Sequence, residues 1–226
     1  MLVLASASPR RRELLTQAGF TFHVHPAHIP EDPRPNEDPI AYVIRLAREK
    51  AEAVFAALTQ NPVQSAGEND KRQGTTSVVP QKPQNEARAL APEGSTAESI
   101  IVLGADTTVT IDNQILGKPE NAADAARMLR QLSGRTHRVI TGVAIVTATR
   151  TEVAAEVTGV TFLTLSYQEI DAYITTGEPM DKAGAYAIQG RAARFIPRIV
   201  GDYFNVVGLP LSLVSTLLQA HPFSNS

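Results

Sequence analysis

Apolar and polar positions along the chain switch between a period of two and a period near 3.6. Residues 2–4 (Leu-Val-Leu) are a short continuous apolar run, as in a buried strand, and the small residues 5–8 lead into a helix opening at Pro9. Ser8 is the expected N-cap, and Pro9 suits the first helical position, where a missing N–H costs nothing. Residues 20–24 alternate as a strand until Pro26 and Pro30 end it. Helical spacing returns behind Asp38, where Ile40, Val43, Ile44, Ala47, Ala51 and Val54 share one face of a helix. Residues 60–99 hold no aromatics and few large aliphatics, so they cannot offset their ordering entropy and read as a disordered insertion. Residues 100–109 open on the clearest apolar run of the chain, a buried strand that is expected to break at Gly104 and deliver Asp106 and Thr107.

A turn at Asp112-Asn113 follows, and a helix over 122–132 is capped by Asn121 and closed by Ser133-Gly134. Strands are expected over 136–149, with a bend at Gly142, and over 151–165. Ser166 caps a helix over 168–175, and a glycine-rich irregular loop spans 177–190. A strand at 195–199, a buried strand within 201–211 and a helix over 211–218 complete the domain. Strands alternating with helices predict an α/β fold with a mixed sheet, one domain over 1–220 and a frayed tail over 221–226.

Composition narrows the function classes. The chain has 226 residues and no cysteine, which excludes disulfides and thiol chemistry. A net charge of −2 provides no global field for nucleic acid. No apolar run approaches the roughly 20 residues of a membrane span, and the start lacks a signal-peptide pattern, so a cytoplasmic protein without a membrane partner is expected.

Against that background a few polar residues stand out. Arg10, Arg11 and Arg12 sit in a first helical turn, where cations oppose the helix dipole. The turn is then either an anion site at a helix N-terminus, with Ser6 and Ser8 amides in the cradle, or an exposed basic turn. Asp106, at the end of a buried strand and behind a glycine, is a poor structural choice and a good catalytic one. Lys118, Lys182 and Gln189 lie in glycine-containing loops that suit ligand contact. By pattern alone Lys50 is a solvated lysine and Glu31 a solvated loop acid. His23 and His25 share a strand face near His28, which reads as a polar strand edge before a metal site.

Taken together, LASASPRRRELL, LAREKA, GADTTV, LGKP, LSGRTHRVITGV, DKAGAYAIQG and GDYFNVVGLPL resemble, in order, the motifs of the Maf family of nucleoside triphosphate pyrophosphatases. The resemblance implies an elongated two-lobed α/β fold similar to inosine triphosphatases, with substrate in the cleft between lobes. DKAGAYAIQG resembles the branch acting on dTTP and UTP. By that resemblance Asp106 is the proton acceptor, and Arg10, Thr107 and Gln189 set specificity. Arg11, Lys50, Lys118 and Lys182 join Arg10 as candidate phosphate ligands. A divalent cation, Mg2+ or Mn2+, is the expected cofactor, on Asp106 and Glu31. One departure is Pro30, where the family often has an acidic residue before the loop glutamate. The family also implies a homodimer. The rival reading is a nucleotide-binding regulator of cell division with little catalysis.

Overall fold

The structure, a computed structural model, describes residues 1–60 and 99–221. The insertion expected over 60–99 and the tail expected over 221–226 fall almost wholly outside the described residues. The elements run β1 (Leu2–Leu4), α1 (Pro9–Gln17), β2 (His23–Val24), α2 (Pro39–Gln60), β3 (Ile101–Ile111), β4 (Gln114–Leu116), α3 (Ala122–Leu132), β5 (Thr136–Val146), β6 (Thr151–Thr161) and α4 (Tyr167–Ile174). After 3-10 turns at Glu178–Asp181, Ala183–Ala185 and Arg191–Phe195 come β7 (Arg198–Val200), α5 (Tyr203–Val207) and α6 (Leu211–Gln219). The seven strands make one mixed sheet in the order β2-β1-β3-β5-β6-β7, with β4 beside β3. Strand β1 is parallel to β2 and β3, and the other pairs are antiparallel.

The alternation along β3 decides what each residue meets. Val102 packs with Val3, Ala47 and Ala51 under α2, whereas Leu103 and Ala105 pack with Leu2, Leu4, Leu14 and Leu15 under α1. Asp106 therefore faces α2, and Thr107 faces α1. Two glycines set the closeness of α2. A Cβ on Gly104 would lie 2.1 Å from the Ala47 carbonyl oxygen, and one on Gly142 would lie 2.3 Å from that of Val43. Gly142 is the β5 partner of Asp106. Helix α2 thus rests backbone to backbone on the sheet, which brings its side chains within reach of Asp106.

A second feature creates the cleft. On the β1 side, β3 pairs with β1 only through Leu103 and with β4 only from Val109 onward. Between those points no strand covers this edge of β3 among the described residues. Side chains from both faces of the sheet reach the gap.

Several local expectations are corrected. Strand β3 does not break at Gly104 but continues to Ile111, and Gly142 lies within continuous β5 pairing, so both glycines serve the helix contact. The buried strand expected within 201–211 is helix α5, because the Asp202 carboxylate accepts the Phe204 and Asn205 amides at 2.7 and 3.4 Å and starts a helix there. The strand expected at 195–199 begins at Arg198, since Phe195 ends a 3-10 turn and packs edge-on against Tyr173. Strand β2 is two residues long, and β5 and β6 end at Val146 and Thr161. Asn121 and the Ser166–Glu169 capping box start α3 and α4 as their residue types predict. Among the described residues no helix is long and apolar enough to cross a membrane.

Candidate active site

The gap beside β3 opens into a cleft of about 850 Å³. Its lining includes Ser6, Ser8, Arg10 and Arg11; Glu31 and Lys50; Asp106 and Thr107; Lys118, Lys182 and Gln189, but not Arg12 or the histidines at 23, 25 and 28.

The first wall is the turn from β1 into α1. The Ser8 hydroxyl makes no cap bond to α1, contrary to expectation; the Ser8 N–H instead donates to the Ser6 Oγ at 3.2 Å. First-turn amides have no intrahelical acceptor, so this end of α1 presents donors to the cleft. Arg10 and Arg11 then part company. Arg10 is half-buried on the cleft wall, while Arg11 is buried. Arg11 Nε donates to the Gly208 carbonyl at 2.8 Å, and Nη1 donates to the Ala105 carbonyl at 2.9 Å and the Ser6 Oγ at 3.1 Å. Nη2 donates to the Thr107 Oγ1 at 3.0 Å. One residue thereby ties α1, the β1–α1 turn, β3 and the Gly-Leu-Pro corner together. Burial pulls the Arg11 pKa below its ordinary value, against the opposing pull of Asp106.

The second wall centres on Lys50, which is not the solvated lysine that its pattern predicts. Its side chain is 8% exposed, and its Nζ lies 2.6 Å from Asp106 Oδ1 and 2.6 Å from Glu31 Oε1. Burial pushes the Asp106 carboxyl above its usual range, although Lys50 and Arg11 pull it back. Burial also pushes Glu31 up, but hydrogen bonding and charge from Lys50 outweigh it and hold Glu31 below the usual carboxylate range. The loop carrying Glu31 is held to α2. The Tyr42 hydroxyl donates to the Glu31 carbonyl at 2.8 Å. Arg45 grips Glu37 with two bonds of 2.6 and 2.7 Å and donates to the Asp32 carbonyl at 3.2 Å. That grip holds the Glu37 carboxyl at about 2.

The third wall is made of loops. Lys118 and Gln189 are exposed there, and Lys182 pairs with Asp181. The Gly184 amide donates to the Gly117 carbonyl at 3.0 Å, which joins the two lysine-bearing loops. Gln189 sits in a turn closed by the Gly190 amide on the Ala187 carbonyl at 3.0 Å.

Asp106 and Glu31 converge on one cation, Lys50, from different elements. Two carboxylates at an open cleft are the oxygen donors that Mg2+ or Mn2+ takes together with phosphate oxygens and water, so the residues present fit such an ion. Among the described residues no group of three or more His, Asp or Glu is arranged for a metal, and His23 and Val24 of β2 are exposed.

Sequence reasoning missed Tyr42 and the Arg45–Glu37 pair, which read as ordinary residues of an amphipathic helix and a loop. For Lys50 a signal was present: it follows Ala47 by three positions and precedes Val54 by four, so it continues the apolar stripe.

The profile of Maf-like proteins matches residues 1–221. The chain belongs to the Maf family. Among its Maf relatives, the dTTP/UTP pyrophosphatase of Moorella thermoacetica is 46% identical over 219 residues, covering 96% of this chain and 93% of the relative. The dTTP/UTP pyrophosphatase of Koribacter versatilis is 45% identical over 218 residues, covering 96% and 93%. That of Salmonella typhimurium is 45% identical over 218 residues, covering 96% and 91%. The Maf motifs LASASPRRRELL, GADTTV and DKAGAYAIQG are the β1–α1 turn, the open stretch of β3 and the third wall of the cleft.

Proposed function

We propose that this Maf protein hydrolyses dTTP and UTP, and pyrimidine nucleotides modified on the base, to the nucleoside monophosphate and pyrophosphate. The names of its relatives support this reading. The observation that carries it is the meeting of a buried Asp106 with Glu31 on a single lysine, in a cleft that Arg10, Lys118 and Lys182 also line.

A nucleoside triphosphate carries roughly four negative charges near neutral pH. Arg10 offers a planar fork for a phosphate, and Lys118 and Lys182 act as point charges. Water attacks the α-phosphorus, Asp106 takes its proton, the bond to the bridging oxygen breaks, and pyrophosphate leaves. Burial raises the basicity of Asp106, which suits it to this transfer. Lys50 holds Asp106 and Glu31 in fixed relation. A divalent cation held by the two carboxylates would neutralise charge on the phosphoryl oxygens and acidify water. The Gln189 amide offers a donor and an acceptor for the O4 and N3–H of uracil or thymine, a pattern that cytosine inverts. Thr107 and Arg10 share in specificity. A cytoplasmic homodimer belongs to the same reading.

The test is pyrophosphate release from dTTP and UTP by wild type and Asp106→Asn. Turnover falls about 1,000-fold while nucleotide binding persists. Unchanged turnover would reject Asp106 as the base, and turnover absent from the wild type would leave the regulator reading.

A further inference from the structure

We infer that Glu178 and Tyr173 are positioning residues for pyrimidine recognition: together they clamp both ends of the turn that presents Gln189. The inference rests on the reading of Gln189 as the base-contacting residue. Neither residue lines the cleft.

The turn runs from Ala187 to Gly190, and its own closing bond joins its two ends. That bond alone does not orient the turn relative to the sheet. At the entering end, the Ala187 amide donates to the Tyr173 hydroxyl at 3.2 Å. At the leaving end, the Arg191 amide donates to both Glu178 carboxylate oxygens at 3.1 Å. The Tyr173 hydroxyl in turn donates to Glu178 Oε1 at 2.7 Å, which closes a single relay around the turn. Each polar group has its proper role: the hydroxyl accepts once and donates once, and the carboxylate only accepts.

Two further observations make this a built arrangement. A Cβ on Gly190 would lie 2.1 Å from Glu178 Oε1, so the absence of a side chain at 190 is what admits the carboxylate. The Tyr173 ring is 1% exposed and stacks edge-on against Phe195 with centroids 5.6 Å apart. The anchor therefore stands on the core of the lobe, behind a turn whose Gln189 is exposed to the cleft. A turn held at both ends fixes the position from which the Gln189 side chain reaches the base, and discrimination between uracil and cytosine draws on that fixed reach.

The experiment compares UTP and CTP hydrolysis by wild type, Tyr173→Phe, Glu178→Ala, Glu178→Gln, Gln189→Ala and the Tyr173→Phe/Gln189→Ala double variant. Tyr173→Phe keeps the ring on Phe195 and removes only the hydroxyl. Its preference for UTP over CTP falls about tenfold, mostly through KM for UTP, with kcat within about twofold of wild type. Glu178→Ala loses at least as much, and Glu178→Gln recovers part of it, because an amide oxygen still accepts. The double variant shows no further loss of preference beyond Gln189→Ala, since the clamp acts through that residue. If Gln189→Ala abolishes the preference while Tyr173→Phe retains it in full, the clamp is overturned and the reading of Gln189 stands. If Gln189→Ala itself retains the preference, the reading of Gln189 fails and takes the clamp with it.

Discussion

On the sheet side of the cleft, Lys50, Asp106, Thr107 and Arg11 stand on α2, β3 and α1, and each is bonded to another of the set or to backbone from a different element. On the loop side, Lys118, Lys182 and Gln189 ride on turns and are held by backbone bonds, such as the amide of Gly184 on the carbonyl of Gly117. The first side orders charge next to charge at fixed distance, as the proposed proton transfer requires. The second leaves Lys118 and Gln189 exposed and orders the backbone beneath them, with Lys182 paired to its neighbour Asp181. Rigid elements suit chemistry, where an error of an ångström is expensive, and loops suit recognition, where the partner varies.

The comparison breaks most severely at the contact that makes the sheet side rigid. Gly142→Ala places a methyl group against the Val43 carbonyl and pushes α2, with Lys50, away from Asp106. Stability falls by about 3 kcal/mol in denaturant titration and pyrophosphate release by about 100-fold. Gly159→Ala in β6 is the matched control: its Cβ meets nothing closer than 3.7 Å, and both readings stay near wild type.

Arg11→Lys comes next. A lysine keeps the charge but cannot span the Gly208 and Ala105 carbonyls and the Thr107 hydroxyl as a fork does. The loss is about 2 kcal/mol of stability, with the order among dTTP, UTP and other triphosphates altered through Thr107. A variant with wild-type stability and substrate order would show that Arg11 is a replaceable point charge.

The smallest effect concerns the loop of Glu31. The Glu37 carboxyl sits at about 2, below its ordinary 4.5, because Arg45 bonds its ionised form. Its contribution to stability is complete above pH 4.5 and is lost as pH falls through 2. Melting temperature measured across that range falls less steeply for Glu37→Gln than for wild type. Superimposable acid profiles would remove Glu37 from the account.

Much of the sheet side was legible because its elements carry strong local signals: apolar runs at 2–4 and 100–103, Pro9 at a helix start, a regular stripe along α2. What was not legible depended on contacts between distant segments. The helical face that Arg11 shares with Leu14 and Leu15 marks it as buried, yet nothing near it in sequence names Gly208 or Thr107 as its acceptors. Lys50 lies on the apolar stripe, but a buried lysine needs partners, and those lie 19 residues before it and 56 after it, beyond the reach of any local pattern. Helix α5 was misread because Tyr-Phe-Asn-Val-Val favours a strand, and a single cap at Asp202 overrode that preference. The cleft itself arises where two short strands fail to meet along β3, a fact of register that no local pattern records.

Asp106 and Thr107 are consecutive in the chain and point to opposite faces of β3. Replacing the threonine disturbs Arg11 and Thr141 and leaves the lysine bridge on the other face alone. A substitution at 107 can therefore alter the α1 face of the cleft without moving the ion bridge on the α2 face. A single residue gained or lost upstream within β3 would exchange the two faces and displace both sets of contacts at once. The site therefore depends on the length of that strand as well as on its residues.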